Sequence, residues 1–375
     1  MKIVFVTNNY KPYCGGVAKS VEVFCDALQK QGHVVFIITL DFLGKKTEAE
    51  EGVFRIFSPI RFLYKQNRMA VPWLPHKKVK EIIKEINPDI IHAHHPFLLG
   101  QSGLRAARIL DIPIVYTFHT MYERYTHYIP LPEPFVKKCV QTIVRNFCKE
   151  VDGLIVPSKE IKDHVQHSTI AKRTIVLPSP IKNFFLRPQA EKEKKTQFNL
   201  ITVSRFVKEK NIPFLLDVFS KLDQSRYHFT LVGYGAEQEN LERYAFSTLG
   251  LSCENVTFVC KPEPEKLLDY YDNADLFLFA STSDTQGLVL AESMARGVPV
   301  IALNGPGQKD IIISGVNGFL VHSQQEMVNV IQRIADNTDL QEMMNKQAIK
   351  TAKNYASETL AKKLVTFYQE IIAKN

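Results

Sequence analysis

One stretch near the carboxyl end, residues 281–299 (S-T-S-D-T-Q-G-L-V-L-A-E-S-M-A-R-G-V-P), most strongly constrains the fold. The run 275–280 before it is short, apolar and aromatic, which is typical of a buried parallel strand. An apolar helix pattern begins at Leu288, and a second apolar strand pattern covers 298–303. Strand, polar turn, helix and strand in this order predict a parallel βαβ unit with its polar turn at a strand's carboxyl end.

The polar turn of this unit suits an anion. A helix start presents backbone N–H groups and the positive end of the helix dipole, which favour a group such as a diphosphate. Ser283, Asp284 and Thr285 are all N-cap residue types, so Asp284 is either a helix cap, the commoner role, or a ligand contact. Glu292 lies among apolar residues of the predicted helix, which indicates that its carboxylate has a partner.

The length of 375 residues exceeds what one hydrophobic core usually holds and predicts two domains. An apolar share of 45% indicates a globular protein. No apolar run approaches the roughly 18 residues of a membrane span, and residues 1–7 predict a buried strand instead of a signal peptide. The six cysteines show neither a C-x-x-C pair nor a zinc spacing, so we expect reduced thiols in a cytoplasmic protein.

The charge of the chain is unevenly distributed. Up to Pro180 there are 25 Lys/Arg against 16 Asp/Glu, a charge of +9, and after it 22 against 23, a charge of −1, so the whole positive excess lies in the first part. A basic domain predicts an anionic partner, either a lipid surface or a nucleic acid. No nucleic-acid recognition motif accompanies the charge, which favours the lipid surface.

Glycines and histidines follow the predicted strands of the first half. Gly15 and Gly16 come after the first strand and would allow a ligand to approach the backbone closely. His119 comes after the strand predicted at 113–118, at the end that faces ligands in open α/β sheets. The strand at 89–95 ends in H-x-H-H, but no carboxylates accompany these histidines, so we do not expect a metal site.

Two segments combine basic and apolar residues in a way that would suit a membrane surface. Residues 61–84 interleave Lys and Arg with aromatic residues, and Pro72 and Pro75 argue against one long amphipathic helix. Residues 134–149 carry a helical apolar stripe beside basic residues. The stripe comprises Phe135, Val136, Cys139, Val140, Ile143, Val144 and Phe147. Both segments allow ordinary packing or lipid contact, and for 134–149 we favour core packing.

Positive side chains follow the strand predicted at 200–204. A lone K-E-K-N turn is usually solvated, but Arg205 and Lys210 could converge on a diphosphate here, Arg through its planar fork and Lys as a point charge. The chain contains no D-x-D triplet, the paired carboxylates with which metal-dependent enzymes commonly hold a nucleotide diphosphate. We therefore expect a metal-independent site.

Together these patterns resemble the retaining GT-B glycosyltransferases. In that family two carboxylates frame the nucleotide-sugar motif, as Asp284 and Glu292 do here, with aspartate in place of the family's first glutamate. The resemblance implies an α/β GT-B fold of two doubly wound Rossmann-like domains facing a cleft. Residues 1–180 would bind the acceptor, residues 181–356 would bind the nucleotide sugar, and a C-terminal helix in 357–375 would cross back to the first domain.

The same resemblance implies roles for the matched residues. Asp284 and His119 would contact the donor sugar, Glu292 would hold the ribose hydroxyls, and Arg205 with Lys210 would stabilise the leaving diphosphate. A phosphate oxygen of the donor would act as the base. The other expected donor-binding positions are Gly15, Gly16, Gly287, Leu288, Val289, Lys261 and Pro262.

A more specific resemblance lies in residues 119–130 (H-T-M-Y-E-R-Y-T-H-Y-I-P) and in the T-Q-G-L-V after Asp284. Both are similar to bacterial diacylglycerol glucosyltransferases. This similarity implies a retaining hexosyltransferase, peripheral at the inner face of the cell membrane, that moves a hexose from UDP-glucose to a lipid such as diacylglycerol.

Other readings stay open. The donor could be GDP-mannose or another nucleotide sugar, and the acceptor a phosphatidylinositol, a polyprenol, a lipopolysaccharide or a soluble sugar. His92 and His94 leave a nucleotide-sugar epimerase of the same fold as a less favoured alternative. A nucleic-acid-binding protein is less favoured still.

Overall fold

The computed structural model describes residues 1–12, 15–44, 50–64, 67–124, 126, 132–168, 173–188, 197–281, 284–305 and 307–374. The chain divides into two compact units, Met1–Pro180 with Ser357–Asn375, and Ile181–Ala356. Each unit is built on an all-parallel sheet covered by helices, which confirms the predicted α/β fold class.

The first unit contains a seven-stranded parallel sheet and a separate two-stranded hairpin. Its strands are β1 (Lys2–Val6), β2 (Val34–Leu40), β3 (Val53–Ile56), the hairpin strands β4 (Ile60–Tyr64) and β5 (Asn67–Val71), β6 (Ile90–Ala93), β7 (Ile114–Thr117), β8 (Gly153–Val156) and β9 (Thr174–Val176). The large sheet has the order β3-β2-β1-β6-β7-β8-β9. Its helices are α1 (Gly16–Lys30), α2 (Pro75–Ile86), α3 (Leu99–Leu110), α4 (Glu133–Glu150) and α5 (Lys159–Ser168), with a 3-10 turn at Tyr122–Arg124.

The second unit contains a six-stranded parallel sheet in the order β12-β11-β10-β13-β14-β15. Its strands are β10 (Phe198–Arg205), β11 (Tyr227–Tyr234), β12 (Val256–Cys260), β13 (Leu276–Phe279), β14 (Val300–Leu303) and β15 (Gly318–Val321). Its helices are α6 (Ile212–Ser220), α7 (Gln238–Arg243), α8 (Pro264–Asp272), α9 (Leu288–Ala295), α10 (Gln324–Ala335) and α11 (Thr338–Ala352). The last helix, α12 (Ser357–Ile372), packs on α1 and belongs to the first unit.

Strand periodicity explains the two cores of the first unit. Along β1, Val4 and Val6 face one apolar cluster with α2 and α3, while Ile3 and Phe5 face the other, which includes α1 and α12. Because both faces are covered, all four residues are fully buried. This arrangement leaves the ends of the strands as the place where polar residues gather.

Each parallel sheet has a point where the chain order reverses. In the first unit it lies between β1 and β6, and in the second between β10 and β13. Ligands of open α/β sheets bind outside the carboxyl ends of the strands at such a point. The topology therefore marks two places to search: the residues after β1 and β6, and those after β10 and β13.

Three expectations about packing are corrected by the structure. The packing interpretation of residues 61–84 is a solvated loop followed by a helix, but the structure has a β-hairpin before α2. On α4, Phe135, Cys139 and Ile143 are exposed, so core packing holds only for the other half of the stripe. The prolines and the charge run in residues 178–196 predict an interdomain linker, but residues 181–188 of that range belong to the second unit, where Phe185 is buried. Residues 189–196 of the same predicted linker lie outside the described part.

Among the residues that the structure describes, no helix is long and apolar enough to span a bilayer. The described cysteines, all but Cys14, form no disulfide.

Candidate donor site and apolar surface

The carboxyl ends of β10 and β13 bring Lys210 and Asp284 together. Lys210 ends the 3-10 turn Lys208–Lys210 after β10, and Asp284 lies in the turn after β13. The Lys210 Nζ is 2.8 Å from Oδ1 and 2.6 Å from Oδ2 of Asp284. Their side chains are 16% and 23% exposed, so the pair is reachable from solvent but largely shielded by protein.

The surroundings of Asp284 keep it ionised. Burial raises the pKa of this carboxyl, but the charge and hydrogen bonds of Lys210, a hydrogen bond from Ser281 and the charge of Arg205 together hold the pKa below its usual value. Arg205 itself is exposed at the end of β10. The site therefore combines two cations with one carboxylate and has a net positive charge that suits a diphosphate.

The expected capping role of Asp284 is wrong. The N-cap of α9 is Gly287, which has a left-handed backbone with φ of 67°, and no side chain caps this helix. The chain uses glycine at this position because other residues adopt that backbone at a cost. Leu288 and Val289 form the first turn of α9, so their backbone lies where an anion would meet the helix dipole.

Glu292 lies on the second turn of α9 and is 3% exposed. The hydroxyl of Tyr271 donates a hydrogen bond of 3.5 Å to its Oε2. This is the kind of partner that the sequence required for a carboxylate at an apolar position. Burial, and then the same carboxylate, raise the pKa of Tyr271 well above its usual value, so the phenol stays a donor.

Lys261 and Pro262 follow β12 at the same edge of the sheet. Lys261 has a left-handed backbone with φ of 44°, and its Nζ lies 4.5 Å from the centre of the Tyr234 ring. Tyr234 is the partner of Arg205 in the parallel register of β10 and β11. The edge therefore carries Lys261, Tyr234 and Arg205 on three adjacent strands.

Sequence reasoning missed the residues that shape this edge. Gly233 and Gly235 have no room for a side chain, since an added Cβ would lie 1.8 Å from the Ser204 carbonyl oxygen and 2.2 Å from that of Phe206. Gln308 is fully buried and donates a 2.9 Å hydrogen bond to the Ser281 carbonyl. The G-Y-G sequence at the end of β11 was the only sequence signal that two backbone segments approach each other closely here.

In the first unit, four histidines gather at the carboxyl ends of β6 and β7: His92, His94, His95 and His119. His94 Nδ1 lies 2.9 Å from His119 Nε2, and the two rings stack with centroids 5.2 Å apart. Burial, and then the neighbouring His95 and His92, lower the pKa of His119 well below its usual value. The ring is therefore neutral at physiological pH.

The predicted glycine loop lies at the start of α1. Gly15 is the N-cap with an extended backbone (φ −168°), and Gly16 is the first helical residue. A Cβ on Gly16 would meet nothing within 4 Å, so the protein's own packing does not require glycine there. Within the described ranges, no group of three or more His, Cys, Asp or Glu residues could hold a metal ion.

The hairpin exposes several large apolar side chains. Ile60 pairs with Val71 and Phe62 with Met69, so these four side chains share one face. The other face is the packed one, where Ala70 is buried and Arg61 bonds Asp41 at 2.6 Å. We call the exposed set the hairpin surface: Phe57, Ile60, Phe62, Met69, Val71, Trp73 and Leu74, with exposures from 41% to 72%.

Basic residues accompany this surface along the chain. Lys77, Lys78 and Lys84 of α2 are exposed, and α2 begins directly after Leu74. Soluble proteins rarely expose large apolar patches without a partner, so the exposed apolar side chains between Phe57 and Leu74 mark a candidate interaction surface.

Comparison with known proteins gives the class of this fold. The family model described as Glycosyltransferase Family 4 matches residues 14–182, and the one described as Glycosyl transferases group 1 matches residues 184–351. The solved sucrose-phosphate synthase from Thermosynechococcus elongatus superposes with a TM-score of 0.84 at 20% identity, covering 100% of both chains. The Anabaena protein HepE in complex with UDP-glucose gives 0.76 at 20% identity, covering 99% of this chain and 100% of that one. The fold is that of the GT-B glycosyltransferases.

Curated relatives narrow this class. The alpha-monoglucosyldiacylglycerol synthase of Streptococcus pneumoniae is 30% identical over 390 residues, covering 100% of this chain and 87% of the relative. The enzyme of the same name from Acholeplasma laidlawii is 30% identical over 396 residues, covering 100% and 98%. The chain belongs to the GT-B glycosyltransferases, close to the diacylglycerol glucosyltransferases.

Proposed function

We propose that this protein transfers glucose from UDP-glucose to diacylglycerol at an anionic membrane surface, with retention of the anomeric configuration and without a metal ion. The observation that carries the proposal is the full-length similarity to two alpha-monoglucosyldiacylglycerol synthases. The positive site around Lys210 and Arg205 supports a nucleotide diphosphate as the leaving group.

The chemistry assigned to the second unit is electrostatic. As the glycosidic bond to the diphosphate breaks, negative charge grows on the leaving phosphate oxygen. Lys210 and Arg205 would stabilise that charge, together with the dipole of α9. Asp284 would then turn from Lys210 toward a hydroxyl of the sugar, and Glu292 would hold the ribose hydroxyls. Since no side chain needs to act as a base, a donor phosphate oxygen would accept the proton of the acceptor hydroxyl.

The first unit would meet the membrane through the hairpin surface. Its aromatic and aliphatic side chains suit the interfacial region, and the lysines of α2 suit anionic headgroups. The exposed half-stripe of α4, formed by Phe135, Cys139 and Ile143, lies beside Lys138 and adds a second segment of the same character. Such a surface would bring the enzyme to a water-insoluble acceptor.

The test is transfer of radiolabel from UDP-glucose, and in parallel from GDP-mannose, to vesicles of phosphatidylglycerol that contain diacylglycerol. Label from UDP-glucose in the chloroform phase, dependent on diacylglycerol and unaffected by EDTA, is the expected result. The anomeric proton of the purified product, measured by NMR, then reports retention or inversion.

Other results would change the assignment. Lipid label from GDP-mannose alone would show that UDP-glucose is the wrong donor. Label that stays in the aqueous phase would show that the acceptor is a soluble sugar or water and not a lipid. Conversion of the donor to an epimer without transfer would favour the isomerase reading.

A further inference from the structure

His94 is fully buried one strand away from His119, and its ring has a single hydrogen-bonding neighbour among the described residues. Its Nδ1 lies 2.9 Å from His119 Nε2. Its other nitrogen, Nε2, is buried and has no hydrogen-bond partner among the described residues. This polar atom is not used by the proposed transfer reaction, and its environment therefore needs a separate explanation.

The other histidines nearby are held by different partners. His92 bonds the Tyr368 hydroxyl of α12 through Nδ1 and Thr117 Oγ1 through Nε2, both at 2.6 Å. His95 Nδ1 accepts a hydrogen bond from the backbone N–H of Asn8 at 3.1 Å. His94 stacks on His92 with centroids 4.2 Å apart and does not bond it. The bond to His119 is thus the specific polar contact of the His94 ring.

The protons of the pair follow from this geometry. Burial keeps both rings neutral, so each ring carries one proton and one of the two protons lies in the shared bond. If His119 donated the shared proton from its Nε2, His94 would carry its own proton at Nε2, as a buried N–H without an acceptor. If His94 donates from Nδ1, Nε2 is left with a lone pair only. Orphaned buried N–H groups are the rarer of these two situations.

We infer that His94 is a positioning residue that donates its Nδ1–H to Nε2 of His119 and so fixes His119 as the Nδ1–H tautomer. His119 can then act through Nδ1 as a hydrogen-bond donor but not as a base, because its lone pair is already engaged. This step rests on the proposed function: His119 would donate a hydrogen bond from Nδ1 to a hydroxyl of the transferred sugar.

The first test needs no activity. Protein labelled with [15N]histidine, with the His119 signals assigned by comparison with His119→Gln, reports which ring nitrogen carries the proton. We expect a protonated Nδ1 and an unprotonated, hydrogen-bonded Nε2 for His119 at pH 7. A proton on Nε2 of His119 overturns the inference, whether or not any donor and acceptor support transfer.

The second test separates positioning from packing. His94→Asn retains an amide N–H near the position of Nδ1, whereas His94→Leu retains volume but no donor. We expect the Leu variant to lose about fivefold to tenfold in kcat and to show a mixture of His119 tautomers. The Asn variant should keep the Nδ1–H tautomer and most of kcat. His76→Leu, at an exposed histidine, is the matched control.

Two results would contradict the positioning role. One is a Leu variant with unchanged kcat and an unchanged His119 tautomer. The other is an Asn variant as impaired as the Leu variant although its thermal unfolding matches that of the wild type. UDP binding measured by calorimetry should be equal in all variants, because the proposed nucleotide site lies in the second unit.

Discussion

Lys210 and Asp284 form a two-pronged ion pair, with Nζ 2.8 Å and 2.6 Å from the two carboxylate oxygens. The pair joins the turn after β10 to the turn after β13. It occupies Lys210 with a protein carboxylate before any diphosphate arrives. A diphosphate must therefore compete with Asp284 for the lysine, which gives the two residues opposite expected effects on nucleotide binding.

Replacing the lysine tests the leaving-group role. Lys210→Ala should lower kcat for transfer about 10²- to 10³-fold, because the charge on the departing phosphate loses its main stabilising cation. Lys208→Ala, an exposed lysine two residues earlier in the same turn, is the control and should retain activity. Steady-state kinetics and circular dichroism on both variants make the comparison. Equal activity of the two would remove Lys210 from the reaction.

Replacing the Asp284 carboxylate should have opposite effects on UDP binding and on sugar transfer. Asp284→Asn removes the negative charge that competes with the diphosphate, so we expect UDP to bind about threefold to tenfold more tightly. Transfer should nevertheless fall, since the proposed sugar contact is weakened. Calorimetry with UDP and the transfer assay measure the two effects. Weaker UDP binding in this variant would contradict the competition between Asp284 and diphosphate.

The turn into α9 can be tested with two glycines of similar backbone. Gly287 has φ of 67° and Gly250 has φ of 65°, but an added Cβ meets Leu290 Cδ1 at 2.9 Å only at Gly287. Gly250→Ala should cost about 1 kcal/mol of unfolding free energy from the backbone alone. Gly287→Ala should cost about 1 kcal/mol more and also weaken UDP binding. Urea unfolding at pH 7 measures the two losses of unfolding free energy. Equal losses would show that the Leu290 side chain moves aside at no cost in free energy.

The buried histidines predict how stability depends on pH. Burial lowers the pKa of His92 and of His95 to about 3, below the unfolded value of about 6.5. Between these values the unfolded chain binds protons that the folded chain does not, so the unfolding free energy should fall as pH falls from about 6.5 to about 3. Each histidine contributes up to about 1.4 kcal/mol per pH unit.

Urea unfolding at several pH values between 4 and 8 checks this slope. His92→Gln should reduce the slope by about one proton, whatever its effect on stability at pH 8. A slope that is the same in the wild type and in His92→Gln would mean that His92 takes up its proton in the folded protein as readily as in the unfolded chain.

The hairpin surface predicts a difference in vesicle binding. The double variant Trp73→Ser/Leu74→Ser removes two side chains that are 70% and 72% exposed, so folding should be unaffected. Sedimentation with phosphatidylglycerol vesicles should weaken at least about tenfold, because two apolar side chains no longer enter the interface. Ile313→Ser, at a 59% exposed residue of the second unit, is the control. Equal sedimentation of the two variants would exclude the hairpin surface.

Much of the fold was predictable because buried parallel strands have a local signature. β2 and β12 begin and end where their apolar runs do, and α9 begins at the predicted Leu288. The hairpin before α2 was missed, since its alternating pattern is mixed with basic residues and its apolar face points away from the core. The whole apolar stripe of α4 was predicted to pack in the core, but only part of it does. Helical spacing shows that one side of a helix is apolar, but it does not show how much of that side a neighbouring element covers.

The candidate site was predictable only in part, because local sequence patterns do not reveal contacts between residues that are distant along the chain. Arg205, Lys210 and Asp284 were predicted because each lies at or just after the carboxyl end of a strand, where parallel strands expose polar turns. The ion pair between Lys210 and Asp284 could not be foreseen, since 74 residues separate its members. Helix-capping rules paired Asp284 with the backbone of α9 and not with Lys210, because these rules consider only the helix that follows.

The sequence by itself determined the α/β class, the membership in a glycosyltransferase family and the identity of most polar residues at the strand ends. These follow from local periodicity and short motifs, whose physical causes act over a few residues. Only the tertiary structure decided which of those residues meet: Lys210 with Asp284, Glu292 with Tyr271, and His94 with His119. Such contacts depend on strand order and register, which bring together side chains that are distant along the chain.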